Sequence, residues 1–390
     1  MKDKHIINFQ IFYFLLIGSL GCFFPYINVY LEKSIGLDGS QIGLITAISL
    51  VIGVCVVPIW GIIGDKTQKY NIVLMVSLLA SIGTLYVYSK QTVYIGVVIC
   101  AMILEIVRLG SVPMADTISM NYTSQTGGNY GSIRGMGSLG YMLGSMAVGF
   151  LADRYGLDGP LFTSYMVLLG LAFLLCLQFP KTSSSEKTEK PQKEHFYSLI
   201  KNKKFIFILL LVMMSQICVD SVTAYSGNHL VTTLQRDNSF ISWLTFVQVL
   251  PEFFFLMVAS KVVDKVGYKK YYTFAICLMI IRLLTYAFVP NAYVFVGISI
   301  VHCFGVACAT VAALAYIKDI VPTTVFGTAI TLLNAAMSIA KAIYGYLFGV
   351  IYQYYGSYRI FLAGAIIVTI ALILVMTTHN FDHIQHHQEA

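Results

Sequence analysis

Twelve apolar runs, each long enough to cross a lipid bilayer, dominate this 390-residue sequence. They fall at about 6–31, 41–64, 72–89, 92–120, 132–152 and 160–179, then at about 205–234, 240–262, 271–289, 293–317, 325–351 and 358–378. A hydrocarbon core ~30 Å thick needs roughly 20 helical residues to span it. In lipid every backbone N–H and C=O must be satisfied within the segment, so runs of this kind fold as helices. Only 11% of residues are charged and 57% are hydrophobic, with mean hydropathy +0.77. That is too little charge to cover a soluble surface of this size. The expected fold is an all-α integral membrane protein with twelve transmembrane helices. The first run is too long for a signal peptide, is bracketed by Glu32 and Lys33, and has no small-residue cleavage site, so it reads as a retained span.

Basic residues set the orientation. Of 25 Lys and Arg, four are counted as intramembrane, with Lys261 and Arg359 at the run ends counted as loop charges. Sixteen of the rest lie on the side of the termini, at positions 2 and 4 and in the stretches 65–71, 181–204, 261–270 and 318. Five lie on the other side: Lys33, Lys90, Arg154, Arg236 and Arg359. Both termini are therefore expected in the cytoplasm, with the chain in the cell membrane. The net charge of +7 then faces an anionic leaflet and is no sign of nucleic-acid binding. All eight cysteines fall within the runs without CxxC spacing, so neither a disulfide framework nor a metal site is expected.

The chain repeats itself. "GIIGDKTQKY" follows the second run and "ASKVVDKVGYKKY" the eighth, which sets Asp65-Lys66 and Asp264-Lys265 199 residues apart. "GFLADRYG" and "GVIYQYYG" close on Gly156 and Gly356, 200 apart. Two matches at one offset indicate an internal repeat of six spans. The expected division is a bundle over 1–180, a polar linker over 181–204, a second bundle over 205–380 and a tail over 381–390. At these residues the chain resembles the major facilitator superfamily. The resemblance implies that the loop motif, Asp65 with Lys66 and Asp264 with Lys265, latches helices at the cytoplasmic face and does not bind solute. Ser260 opens the second copy where glycine is usual.

Ionisable residues inside the runs include Glu105, Asp116, Asp220, Glu252, Arg108, Arg134, Arg282, Lys341 and His302. A charge at the bilayer centre costs at least ~2.5–3.5 kcal/mol, so these groups must face the bundle interior, paired or hydrated. With a rise of ~1.5 Å per residue, Asp116 and Arg134 come to the same depth, ~5–6 Å inside one face. They are expected to pair, with the glycines of "GSIRGMGSLGYMLGSMAVG" letting spans four and five approach closely. Asp220 and Lys341 match in depth as a second pair. Glu105 and Arg108 lie one helical turn apart and can pair with each other.

These positions sharpen the likeness. From "GCFFPYINVYL" to "YQYYGSYR" the chain resembles the lactose permease group of oligosaccharide–proton symporters and the related phenylpropionate permeases. The resemblance implies that Asp116 and Arg134 bind solute and that Tyr141 offers the ring face. It implies matching roles for Glu252, Arg282, His302, Asp220 and Asn228, with Lys341 offset by about one turn. Thr223 and Ser299 replace a charged pair of that group, and Gly305 stands where its proton-releasing glutamate belongs. Glu105 and Arg108 have no counterpart there. With the other acids held by partners or reserved for solute, Glu105 is the expected proton carrier and His302 the next candidate.

The expectation is a secondary transporter that works by alternating access and takes up a small polar organic solute, first a sugar or oligosaccharide, together with H+. Rival solutes are an aromatic carboxylate or a nucleoside, and a multidrug exporter is the other alternative. No nucleotide-phosphate loop or nucleophile–base pair suggests an enzyme. A proton gradient takes the place of any cofactor. A monomer is expected.

Overall fold

The computed structural model describes residues 4–180, 199, 201–215, 221–322 and 325–378, without the side chains of 4, 54, 221, 222, 253, 256–265, 306 and 307. Among the described residues the chain is helical throughout, with no strand. Spans 1 to 6 are built from Lys4–Phe23 with Ile27–Lys33, Gly39–Thr67, Tyr70–Tyr88, Tyr94–Arg108 with Ser111–Thr126, Tyr130–Tyr155 and Asp158–Cys176. Span 7 contains Lys203–Ser215 and Ser221–Asn228, followed by a π-helical turn at His229–Thr233. Spans 8 to 12 are Ser239–Val266, Tyr268–Phe288, Ala292–Ile298 with Val301–Ile320, Phe326–Tyr355 and Ser357–Thr377. Both ends of the path lie on one face, called here the terminal face; the opposite one is the far face.

Three of the runs that read as continuous are broken helices. Span 1 breaks at 24–26, where Pro25 has no N–H to give. Span 4 breaks at Leu109–Gly110 and span 10 at Ser299–Ile300. Broken helices inside a membrane are tolerated only where they meet protein or a cavity. Span 4 also displays its two faces plainly. Ile95, Ile99, Ile103 and Ile106 are exposed at helical spacing, whereas Val97, Ala101, Leu104 and Glu105 are buried. The isoleucine stripe is the lipid face.

The two closing glycines of the sequence repeat take the same backbone shape. Gly156 has φ 80° and ψ 162°, and Gly356 has φ 79° and ψ 172°. Side chains are sterically barred from this region, so each turn requires glycine between a long helix and the next one. Asp65 and Lys66 sit in the last helical turn of span 2. The Tyr70 hydroxyl donates to Asp65 Oδ1 at 2.8 Å and ties this end to the start of span 3. Asp264, Lys265, Asp220 and most of the linker and tail lie outside the described side chains or residues.

The glycines of span 5 serve a different neighbour from the expected one. They pack along span 1, while contact with span 4 is slight. A Cβ on Gly140 would stand 2.1 Å from the Phe14 carbonyl oxygen, and one on Gly21 would stand 2.1 Å from that of Tyr141.

The halves meet through span 2 on span 11, span 5 on span 8, and span 1 on span 7. Their joint lies toward the far face. Tyr26 bonds Ser145 and Ser242. Asp153 accepts from the backbone N–H groups of Asn238 and Ser239. Glu32, at the end of span 1, accepts from Asn228, Thr232 and Tyr352 of the other half. The Gly39 N–H donates to Gln353 Oε1 at 2.8 Å. The far face is therefore sealed.

Candidate functional site

Beneath the seal lies a cavity of about 350 Å³. Span 1 contributes Phe24 and Asn28, span 2 Thr46 and Ser49, and span 4 Glu105 and Arg108. Tyr141 of span 5, Thr223 of span 7 and Lys341 of span 11 complete the polar wall. Both halves therefore line it.

Glu105 and Arg108 close into a fork on the last turn before the break in span 4. Arg108 Nε donates to Glu105 Oε1 at 3.0 Å, and Nη2 donates to Oε2 at 2.5 Å. The three-residue spacing puts both on one helix face, and the break ends the helix just past Arg108. The guanidinium lies over the Phe24 ring, 4.5 Å from its centroid. The sequence located this pair but gave Arg108 no part in the site. The cavity wall is what brings it forward.

Asp116 and Arg134 do approach each other, yet loosely, with Nε 3.9 Å from Oδ1. This is no bidentate bond. Asp116 Oδ1 instead accepts from Tyr13 at 2.5 Å and from Tyr130 at 2.7 Å. Neither Asp116 nor Arg134 lines the cavity. Their pairing was legible from depth; the two tyrosines were not, because they come from other elements.

Asn228, expected at the solute, lies at the joint of the halves. Asn228 is fully buried and donates to the Asn28 carbonyl and to Glu32, so it belongs to the seal. Glu32 itself reads in sequence as a mere loop charge, and only the meeting of the halves reveals its three donors.

In the second half Arg282 is 1% exposed and donates from Nη1 to His302 Nδ1 at 2.7 Å and from Nε to Tyr286 at 3.0 Å. An arginine can only donate, so Nδ1 is the acceptor and His302 carries its proton on Nε2. Glu252 lies next to Pro251 within span 8. Among the described residues it forms no ion pair with Arg282, and it does not line the cavity. Tyr141 does line it. Lys341 lines it too, while its expected partner Asp220 lies outside the described residues. Groups of His, Cys, Asp and Glu fit to hold a metal ion are absent among the described residues.

The sequence profile of the MFS_1 like family matches residues 6–363. The chain is 28% identical over 337 residues to the uncharacterized transporter YwbF of Bacillus subtilis (strain 168), covering 84% of this chain and 81% of that one. It is 26% identical over 329 residues to the maltose permease of Geobacillus stearothermophilus, covering 84% and 82%. In fold it is similar to a crystal structure of the nucleoside transporter NupG, with TM-score 0.84 and 18% identity over 96% of this chain and 98% of that one.

Proposed function

This chain belongs to the MFS_1 like family of the major facilitator superfamily, and we propose that it is a proton-coupled symporter of a small polyhydroxylated solute, first a sugar such as maltose. One observation carries the reading. A cavity of about 350 Å³, lined by both halves and sealed at the far face, combines hydroxyl, amide and charged groups with aromatic rings. Pockets of roughly 300–1,000 Å³ suit small organic ligands, and sugar rings need both hydrogen-bond partners and an apolar surface. Parting of the halves at the far face and closing at the terminal face would carry the solute across, with the cavity as the fixed site. The permease likeness supports a sugar, and the NupG fold adds a nucleoside as the second solute to test.

The proton is better assigned to the second half than to Glu105. Both Glu105 oxygens already accept from Arg108, and a proton there would leave the arginine without its counter-charge. His302 instead holds one accepting nitrogen on Arg282. Withdrawal of Arg282 during the cycle frees that nitrogen to take a proton, and imidazole is the side chain suited to do so near neutrality. With the termini in the cytoplasm of a cell membrane, the proton gradient would drive uptake.

The test is maltose and uridine uptake in cells with a pH indicator. Solute-driven alkalinisation is expected for the wild type. His302→Gln should lose that signal and retain counterflow exchange. Uptake that persists undiminished after collapse of the proton gradient would sink the coupling.

A further inference from the structure

We infer that the Glu105–Arg108 fork is the docking site for a vicinal diol of the solute. The inference rests on the polyhydroxylated-solute reading above and names the residues that would carry it. Arg108 spends Nε and one Nη2 hydrogen on Glu105. Its Nη1 group has no partner among the described residues, and each Glu105 oxygen keeps a lone pair. The fork thus presents donors beside acceptors along one edge, on the wall of the cavity. Two adjacent hydroxyls match such an edge, since each can accept from the guanidinium and donate to the carboxylate. The Phe24 ring behind the guanidinium fixes its plane, so little freedom is lost when solute binds.

Charge at the fork bears on the ligand class, with Lys341 a further charged group on the cavity wall. The fork is neutral as a whole, so a neutral diol adds hydrogen bonds without burying a lone charge. A carboxylate ligand would have to compete with Glu105 for the same arginine, in a site that repels it through Glu105. The fork therefore favours diols over aromatic acids. Tyr141, on the same cavity, supplies a ring face for the apolar side of the solute. The diol can come from a sugar ring or from the ribose of a nucleoside.

The experiment is calorimetric binding to the full-length protein in lipid nanodiscs, with maltose, uridine, 2′-deoxyuridine and benzoate as probes. Maltose or uridine should bind. Arg108→Lys and Glu105→Asp should each weaken that binding by about tenfold or more, the scale expected for a lost charge-assisted bond. If uridine is the ligand, 2′-deoxyuridine should bind the wild type about tenfold more weakly, and mono-deoxy maltoses give the same comparison for the sugar. These ligand-side comparisons need no variant to fold. A diol that binds both fork variants as it binds the wild type overturns the inference and leaves the proposed function standing. So does a loss at Arg134→Lys as large as that at Arg108→Lys. Binding of benzoate with neither maltose nor uridine overturns the polyhydroxyl reading and this assignment with it.

Discussion

Tyr13 shows how a single hydroxyl can keep a carboxylate in place within an apolar bundle. It is fully buried and reaches Asp116 from an element 103 residues away, with Ser119 3.0 Å from the same oxygen. Tyr13→Phe keeps the ring and removes the donor. The expected loss is about 1–3 kcal/mol, the range for a hydrogen bond to a charged group, read as a lower thermal midpoint in detergent. Tyr130→Phe should cost less, since that ring is only half-buried. An unchanged midpoint for Tyr13→Phe would mean that Arg134 alone suffices for Asp116. At this scale the sequence revealed partners close along one helix or matched in depth, as Glu105 with Arg108 and Asp116 with Arg134. It concealed the tyrosines on Asp116, because neither hydropathy nor spacing says which way a distant aromatic turns.

Among the elements, spans 1 and 5 form the closest contact, backbone against backbone. Gly140→Ala would place a methyl group 2.1 Å from a carbonyl oxygen that cannot swing aside. The helices would have to part along the contact, at a cost of about 1–3 kcal/mol or more. Gly170→Ala is the matched control, since its Cβ meets nothing within 4 Å. It should leave the thermal midpoint level or raise it, because alanine favours helix over glycine by about 1 kcal/mol. Equal midpoints for the two variants would contradict the packing. Helix number was legible in the sequence because lipid enforces length. The break at Leu109–Gly110 has a mark in Pro113, which cannot donate to the Leu109 carbonyl four residues back; the break at Ser299–Ile300 has no proline just beyond it and was not legible. Pro25 did mark the break in span 1.

The whole molecule rests on a joint that must open. Near the far face Gly149 lets span 5 meet span 8, and a Cβ there would stand 1.9 Å from Ser242 Oγ and 2.6 Å from the Tyr26 hydroxyl. Gly149→Val should therefore favour the state open at the far face. A cysteine at Thr46, on the cavity wall, would report it by reaction with an impermeant maleimide added from that side. Its labelling should rise at least about tenfold over the Gly149 parent, the ratio for a shift of 1.4 kcal/mol. No rise would mean that the joint yields elsewhere. Which residues line the cavity was the part least legible in sequence, because it depends on how two bundles lean together, and neither bundle alone encodes that angle.

The joint is built from hydroxyls, amides, backbone groups and carboxylates that accept from neutral donors, with Lys33 donating to the Val231 carbonyl; among the described residues no ion pair crosses it. Dissolved ions weaken attractions between opposite charges, and here there are none to weaken. A cell that carries this protein can move from dilute to brackish water without altering how readily the joint parts. The medium's salinity acts on the charged fringe at the terminal face and leaves the parting of the joint to temperature, to the solute and to the proton gradient.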